Sequence, residues 1–212
     1  IIEDASHALG AEYKSKSVGE CEHSDITVLS FHPVKMITTG EGGMALTRSK
    51  SLHEKMLIAR SHGIVRDPET FSQVNDDEIW GYQQLDLGFN YRMSDIHAAL
   101  GISQLKKLNH FIRRRTEIAN RYNDAFMGSS IVPQLSSKNA TSSYHLYAIR
   151  LKLSNSKITQ KEVFNALRNK GIGVNLHYIP VYRHPYFRDL GFPKGYCDEA
   201  EGYFREALSL PI

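Results

Sequence analysis

The chain has 212 residues, 41% of them hydrophobic and 23% charged, values of an ordinary globular protein with room for one large domain or two small ones. The formal charge is +3, but the basic residues are dispersed. Their densest cluster, Arg113-Arg114-Arg115, reads as a solvated helix face, so neither a nucleic-acid partner nor a membrane partner is expected. Two cysteines, Cys21 and Cys197, offer no disulfide framework or zinc spacing and fit a reducing cytoplasm. No signal peptide is expected, and no apolar run is long enough to span a bilayer.

Residues 1 to about 48 read as α/β core. Ile1-Ile2-Glu3-Asp4 is the end of a strand followed by a loop, and both it and the closing Ser209-Leu210-Pro211-Ile212 read as truncations. Ile26 to Phe31 is β-branched and apolar, as in a strand buried on both faces. Gly40-Glu41-Gly42-Gly43 is a turn, and Met44 to Thr47 the next short strand. Leu52 to Ala59 is helical, with Gly63 expected at its C′ position. Residues 64–88 lack periodicity and read as a long surface excursion. Ser94-Asp95 starts a helix with an N-cap hydroxyl and an acid in the first turn. From Ile96 to Ile102 this helix is apolar on nearly all sides, which predicts burial, including burial at a subunit interface.

Phe111, Ile112, Ile118, Ala119, Tyr122, Ala125 and Phe126 then form one helical stripe opposite Arg113 and Arg114. Gly128-Ser129-Ser130 is the expected boundary, giving domains of 1–127 and 128–212. Beyond it, Tyr147, Ile149, Leu151 and Leu153 alternate as in a half-buried strand. Thr159-Gln160-Lys161-Glu162 is a capping box whose helix Gly171 closes. Val174, Leu176 and Tyr178 alternate again, so a strand-helix-strand unit predicts a small α+β domain.

Three residue types stand in an order whose reading as a site rests on the resemblance given below. Asp4 sits just past a strand end, where open α/β sheets place ligand-binding groups. Ser30 ends the next long strand, and Lys35 follows within Ser30-Phe31-His32-Pro33-Val34-Lys35. Thr38, Thr39, Gly40, Gly42 and Gly43 then permit close backbone approach. Taken singly, Asp4 is a helix cap, Lys35 a solvated lysine and Gly42-Gly43 a turn. His7, Cys21, His23 and His32 match no standard metal-ligand spacing, so no metal is expected. Tyr178, Tyr182, Tyr186 and Phe187, with Arg183 and Arg188, read either as a base-stacking surface or as core with a charged rim.

Glu3-Asp4-Ala5-Ser6-His7-Ala8, the Ser30–Lys35 stretch, Glu41-Gly42-Gly43 and Gly88-Phe89-Asn90-Tyr91-Arg92-Met93-Ser94-Asp95 together resemble the DegT/StrS family of nucleotide-sugar aminotransferases. His177-Tyr178-Ile179-Pro180 and Leu208-Ser209-Leu210-Pro211 are similar to that family's later blocks. The resemblance runs over essentially the whole chain. Within the family it is closest to the pseudaminic acid branch, on Asp4 to Tyr13, Ile37-Thr38-Thr39, Leu52 to Met56, Arg60 to Gly63 and Ser103 to Lys107.

The resemblance implies an aspartate aminotransferase-like type I fold, with part of the large domain and a small C-terminal domain. Pyridoxal 5′-phosphate (PLP) is the implied cofactor. The implied reaction moves an amino group from L-glutamate to C4 of a UDP-linked 4-keto-6-deoxy sugar. Transfer to another nucleotide 4-keto sugar, of the lipid A arabinose or perosamine type, is the alternative. Lys35 would form the imine with the cofactor and shuttle the proton. Asp4 would face the pyridine nitrogen, His7 the ring hydroxyl (many members have Gln there) and Ser30 the phosphate. Asn90 would reach the phosphate of the neighbouring subunit, implying a homodimer with shared sites. His177, Tyr178 and Arg92 would contact the sugar nucleotide. Two readings stand against this one: a sugar dehydratase, which in related proteins carries His where Lys35 stands, and a non-catalytic sensor or inactive fragment of the same fold. The phosphate turn, a ring-stacking aromatic and a C-terminal helix that the family has are not found in this sequence.

Overall fold

The computed structural model describes residues 1–67, 69, 71, 81–153 and 158–212, and the chain divides into two compact units, Ile1–Asn109 and His110–Ile212. The division falls inside a helix, and Gly128-Ser129-Ser130 lies within the second unit.

The first unit is built on a three-stranded sheet. β1 (Ile2–Asp4) runs parallel to the central strand. A two-strand ribbon of β2 (Glu12–Tyr13) and β3 (Lys16–Ser17) follows. β4 (Ile26–Ser30) is the centre, and β5 (Gly43–Leu46) pairs antiparallel with its other edge. The central strand buries one face only: Thr27 and Leu29 are buried, whereas Ile26 and Val28 are half-buried. The expectation of two buried faces is therefore met on one. Ala5, Leu29, Phe31 and Ile37 form the core, with Leu9, Val18, Leu46 and Met93 packed against it.

α1 (Lys50–Ala59) starts at Ser49, whose side chain accepts the Leu52 N–H, and ends at Arg60. Gly63 therefore lies past the cap and is not C′. Its φ is +72°, and a Cβ there would stand 1.8 Å from the Asp86 carbonyl oxygen, so close backbone approach explains the glycine. Part of the 64–88 stretch lies outside the described residues. The described part holds an antiparallel ribbon of β6 (Ile64–Val65) and β7 (Gln83–Gln84), an order that its weak periodicity hides.

α2 (Asp95–Leu105) is capped by Ser94, as its sequence predicts. Gly101 is its buried residue, while Ile96 is 81% and Ile102 59% exposed, so the described residues of this chain do not themselves supply the burial expected of the run. The apolar run marks a face that the described residues leave uncovered.

α3 (Leu108–Phe126) leads into the second unit. Its core sheet has the order β11-β10-β8 and is antiparallel throughout, from β8 (Ile131–Pro133), β10 (Tyr147–Leu151) and β11 (Ala207–Leu210); β9 (Ala140–Thr141) is a short strand between the first two. Tyr147, Ile149 and Leu151 point into one core with Ala119 and Leu208, and Tyr122 and Phe126 pack against it, as the stripe and the alternation predict. α4 (Gln160–Asn169) has both capping-box hydrogen bonds of Thr159 and Glu162, and Gly171 has φ +77° just past its cap. Two short turns of helix follow, the 3₁₀ segment Val181–Arg183 and α5 (Pro185–Asp189), then α6 (Asp198–Glu206).

The strand expected at Val174–Tyr178 is not formed. That stretch makes a single bridge, Asn175 to Ser209, and β11 takes the sheet position beside β10. No helix among the described residues is long and apolar enough to cross a membrane.

Candidate active site

Asp4 ends β1 and Ser30 ends β4. The strands are parallel with Asp4 opposite Val28, so both side chains emerge at the same C-terminal edge, the edge where α/β sheets hold ligands. Ser6 shapes the turn after Asp4: its N–H and its hydroxyl both donate to Asp4 Oδ1, at 3.1 and 2.5 Å. These two bonds lower the Asp4 pKa from its ordinary value, and the charges of His7 and Lys35 add to the effect. His7 and Lys35 thus each lie within electrostatic reach of Asp4. A carboxylate that receives donors and faces cations stays ionised.

Lys35 is held by a tightly bonded loop. Its N–H donates to the His32 carbonyl at 2.9 Å, and the Phe31 N–H donates to the Gly42 carbonyl at 2.8 Å. The Thr38 hydroxyl and the Thr39 N–H both donate to the Phe31 carbonyl. Thr39 is buried and its hydroxyl donates to the Glu41 carbonyl at 2.7 Å. Gly42 is needed against it: a Cβ would come within 2.4 Å of Thr39 Oγ1. Ser30 pairs with Gly43 across β4 and β5. The glycines and threonines after Lys35 therefore build the loop that fixes the lysine.

Asn90 and Arg92 lie in the same unit on the segment before α2. Asn90 bridges to Ser61. Arg92 and Arg66 line a cavity of about 480 Å³ walled by Leu57, Ile58 and Ile64. His177 and Tyr178 belong to the second unit. His177 Nδ1 lies 2.8 Å from Ser209 Oγ, and the Tyr178 ring stands edge-on to it at 4.5 Å. Burial lowers the His177 pKa, which favours a neutral ring. Of the neighbouring aromatics, Tyr182 donates its hydroxyl to Glu201, and Arg183 pairs with the same buried carboxylate. Phe187 is half-buried and Tyr186 is 69% exposed.

Three supporting residues escaped the reading of the sequence: Ser6, Thr39 as a buried hydroxyl, and Ser209. Ser6 alone carried a signal, because an acid followed two residues later by serine favours a local side-chain turn.

The donor set suits PLP. An ionised carboxylate can hold the proton of a pyridine nitrogen, an amine can bond the aldehyde carbon, and a hydroxyl beside small residues can meet a phosphate. The sequence profile described as the DegT/DnrJ/EryC1/StrS aminotransferase family matches residues 1–212. A UDP-4-amino-4,6-dideoxy-N-acetyl-beta-L-altrosamine transaminase of Campylobacter jejuni is 40% identical over 213 residues, which is 100% of this chain and 53% of that protein. A Streptococcus pneumoniae protein described as a sugar aminotransferase, solved in its PLP form, superposes with a TM-score of 0.85 at 30% identity, over 100% of this chain and 52% of the other. Helicobacter pylori PseC, an aminotransferase involved in the biosynthesis of pseudoaminic acid, gives 0.82 at 34% identity, over 99% and 53%. The chain thus spans about half the length of the relatives it matches, and over that whole span it belongs to the DegT/DnrJ/EryC1/StrS aminotransferase family.

Proposed function

We propose that this chain carries the catalytic lysine of a PLP-dependent aminotransferase that moves the amino group of L-glutamate to C4 of a UDP-linked 4-keto-6-deoxy sugar, as in pseudaminic acid biosynthesis. The supporting observation is the cluster at the sheet edge, where Asp4 is held ionised by Ser6 with His7 and Lys35 in electrostatic reach. The 40% identity to the C. jejuni transaminase favours this sugar class.

PLP, when bound, supplies an electron-withdrawing ring and a carbon that carries the amino group. Asp4 keeps the ring nitrogen protonated. Ser30 donates to the phosphate and His7 to the ring hydroxyl. Lys35 Nζ takes a proton from Cα of glutamate in the first half of the reaction and delivers one to C4 of the sugar in the second. His177, Tyr178 and Arg92 bind the sugar nucleotide. Asn90 of the partner subunit reaches the phosphate, so the working enzyme is a homodimer. The exposed apolar side chains of α2, Ile96 and Ile102 among them, support such an interface. Residues 1–127 form part of the large PLP-binding domain and 128–212 the small one, and the protein acts in the cytoplasm.

Borohydride reduction of the PLP-loaded full-length protein followed by peptide mass mapping tests this. A pyridoxyl mass on the Lys35 peptide is expected. A Lys35→Ala variant should lose at least ~10²-fold in turnover, since an acid–base group alone contributes about 10²–10⁴. An unlabelled Lys35 peptide or near-normal turnover of the variant refutes the assignment.

A further inference from the structure

Ser209 sits in β11 with its backbone tied on both sides. It pairs with Ala148 of β10, and it exchanges two hydrogen bonds with Asn175: the Ser209 N–H to the Asn175 carbonyl at 2.7 Å and the Asn175 N–H to the Ser209 carbonyl at 3.1 Å. The residue is 5% exposed. Its hydroxyl has one hydrogen-bond partner among the described residues, His177 Nδ1 at 2.8 Å. A buried hydroxyl proton needs an acceptor. Ser209 therefore donates and Nδ1 accepts, which places the ring proton of a neutral imidazole on Nε2. Nε2 lies on the far side of the ring from Ser209 and makes no hydrogen bond among the described residues. The Tyr178 ring stands edge-on to the imidazole at 88°.

We propose that Ser209 is a positioning residue that holds His177 as the Nε2–H tautomer, so that Nε2–H donates to an oxygen of the sugar nucleotide. This rests on the proposed function for its substrate and on the Ser209–His177 geometry for everything else. Arginine in this place would bind any anion. A fixed neutral donor instead selects by position, because it has one proton and one direction.

The test uses the full-length protein, with heteronuclear NMR of the imidazole nitrogens beside steady-state kinetics. In the wild type, His177 should show an acceptor Nδ1 and a protonated Nε2. Ser209→Ala should give a mixture of tautomers, and Ser209→Thr, which keeps the hydroxyl, should restore the single form. KM for the UDP-sugar should rise about 3- to 10-fold in Ser209→Ala, the size expected for one lost hydrogen bond, with kcat changed less. Nitrogen shifts that are the same in the wild type and Ser209→Ala overturn the proposal, as does a tautomer change with no change in KM. A protein that shows the tautomer change but aminates no nucleotide sugar overturns the proposed function and leaves Ser209's hold on the ring standing. If the threonine variant fails to fold, the wild type and Ser209→Ala still decide the matter.

Discussion

Tyr147→Phe tests the core of the second unit. Tyr147 is fully buried in β10, with its ring 4.9 Å from Tyr122 and 6.4 Å from Tyr144, and its hydroxyl donates to Asn123 Oδ1 at 2.6 Å. The substitution keeps the ring and removes that one bond. Asn123 is half-buried, so water can replace the lost donor, and the loss should be about 1 kcal/mol, near the typical net value of a hydrogen bond. Tyr147→Ala should cost about 3–5 kcal/mol, because it also empties the ring's volume. Urea unfolding of wild type, Tyr147→Phe, Asn123→Ala and the double variant gives a coupling free energy, expected at about 1 kcal/mol. The pH dependence is a second reading of the same site. Burial pushes the Tyr147 pKa up to about 12, with Tyr144 and Tyr122 adding to it. A group whose folded pKa is raised contributes stability in full below its unfolded value of about 10, and that stability is lost as pH rises from there through about 12. Phenylalanine has no proton to lose, so the variant's stability should fall less steeply over that window. A coupling near zero, or equal alkaline slopes, would refute the packing argument.

Ser6→Ala removes the larger of the effects that lower the Asp4 pKa, so that pKa should rise toward its ordinary value and the acid limb of the kcat/KM profile should move to higher pH; an unmoved limb rules out Asp4 as the group whose ionisation matters. Thr159→Ala deletes the α4 cap and should lower stability by about 1 kcal/mol. The Glu162 pKa is lowered by the N–H and hydroxyl of Thr159, so the stability it contributes is present above the ordinary glutamate pKa and lost as pH falls through the lowered one; thermal melts should show a smaller acid-side loss in the variant. Gly63→Ala and Gly128→Ala both place alanine at positive φ, which costs about 1–2 kcal/mol. The first also drives Cβ to 1.8 Å from the Asp86 carbonyl oxygen, while the second meets nothing within 4 Å. Gly63→Ala should therefore melt lower than Gly128→Ala, with faster hydrogen exchange in the β6–β7 ribbon, and equal melting would remove the close-approach explanation.

Much of the second unit was legible because its signals are short-range. The Thr159–Glu162 box, Gly171 and the alternation of Tyr147, Ile149 and Leu151 each involve residues within a turn or a pleat of one another, and each appears as read. The candidate site was legible as an order of residue types, Asp4, Ser30 and Lys35, whose meaning came from family resemblance. The failures are also specific. Val174, Leu176 and Tyr178 alternate like a strand, but β11 pairs with β10 and leaves Asn175 a single bridge. The Ile96–Ile102 run reads as buried, within the chain or at a subunit interface, and among the described residues Gly101 is the part of it that is buried. Gly63 reads as a helix cap and is a contact with Asp86. The helix at Asp198–Glu206, with three acids in its first turn, is absent from the elements predicted from the sequence.

The Ser94 and Thr159 caps and the periods of α3 and β10 were determined by the sequence alone, because the groups that satisfy them lie a few bonds away along the chain. Which strand lies beside which, that Lys35 comes within electrostatic reach of Asp4, and that a serine at 209 meets a histidine at 177 were decided by tertiary structure. Those relations depend on hydrogen bonds, charges and burial acting through space, between residues whose separation along the chain carries no record of their distance.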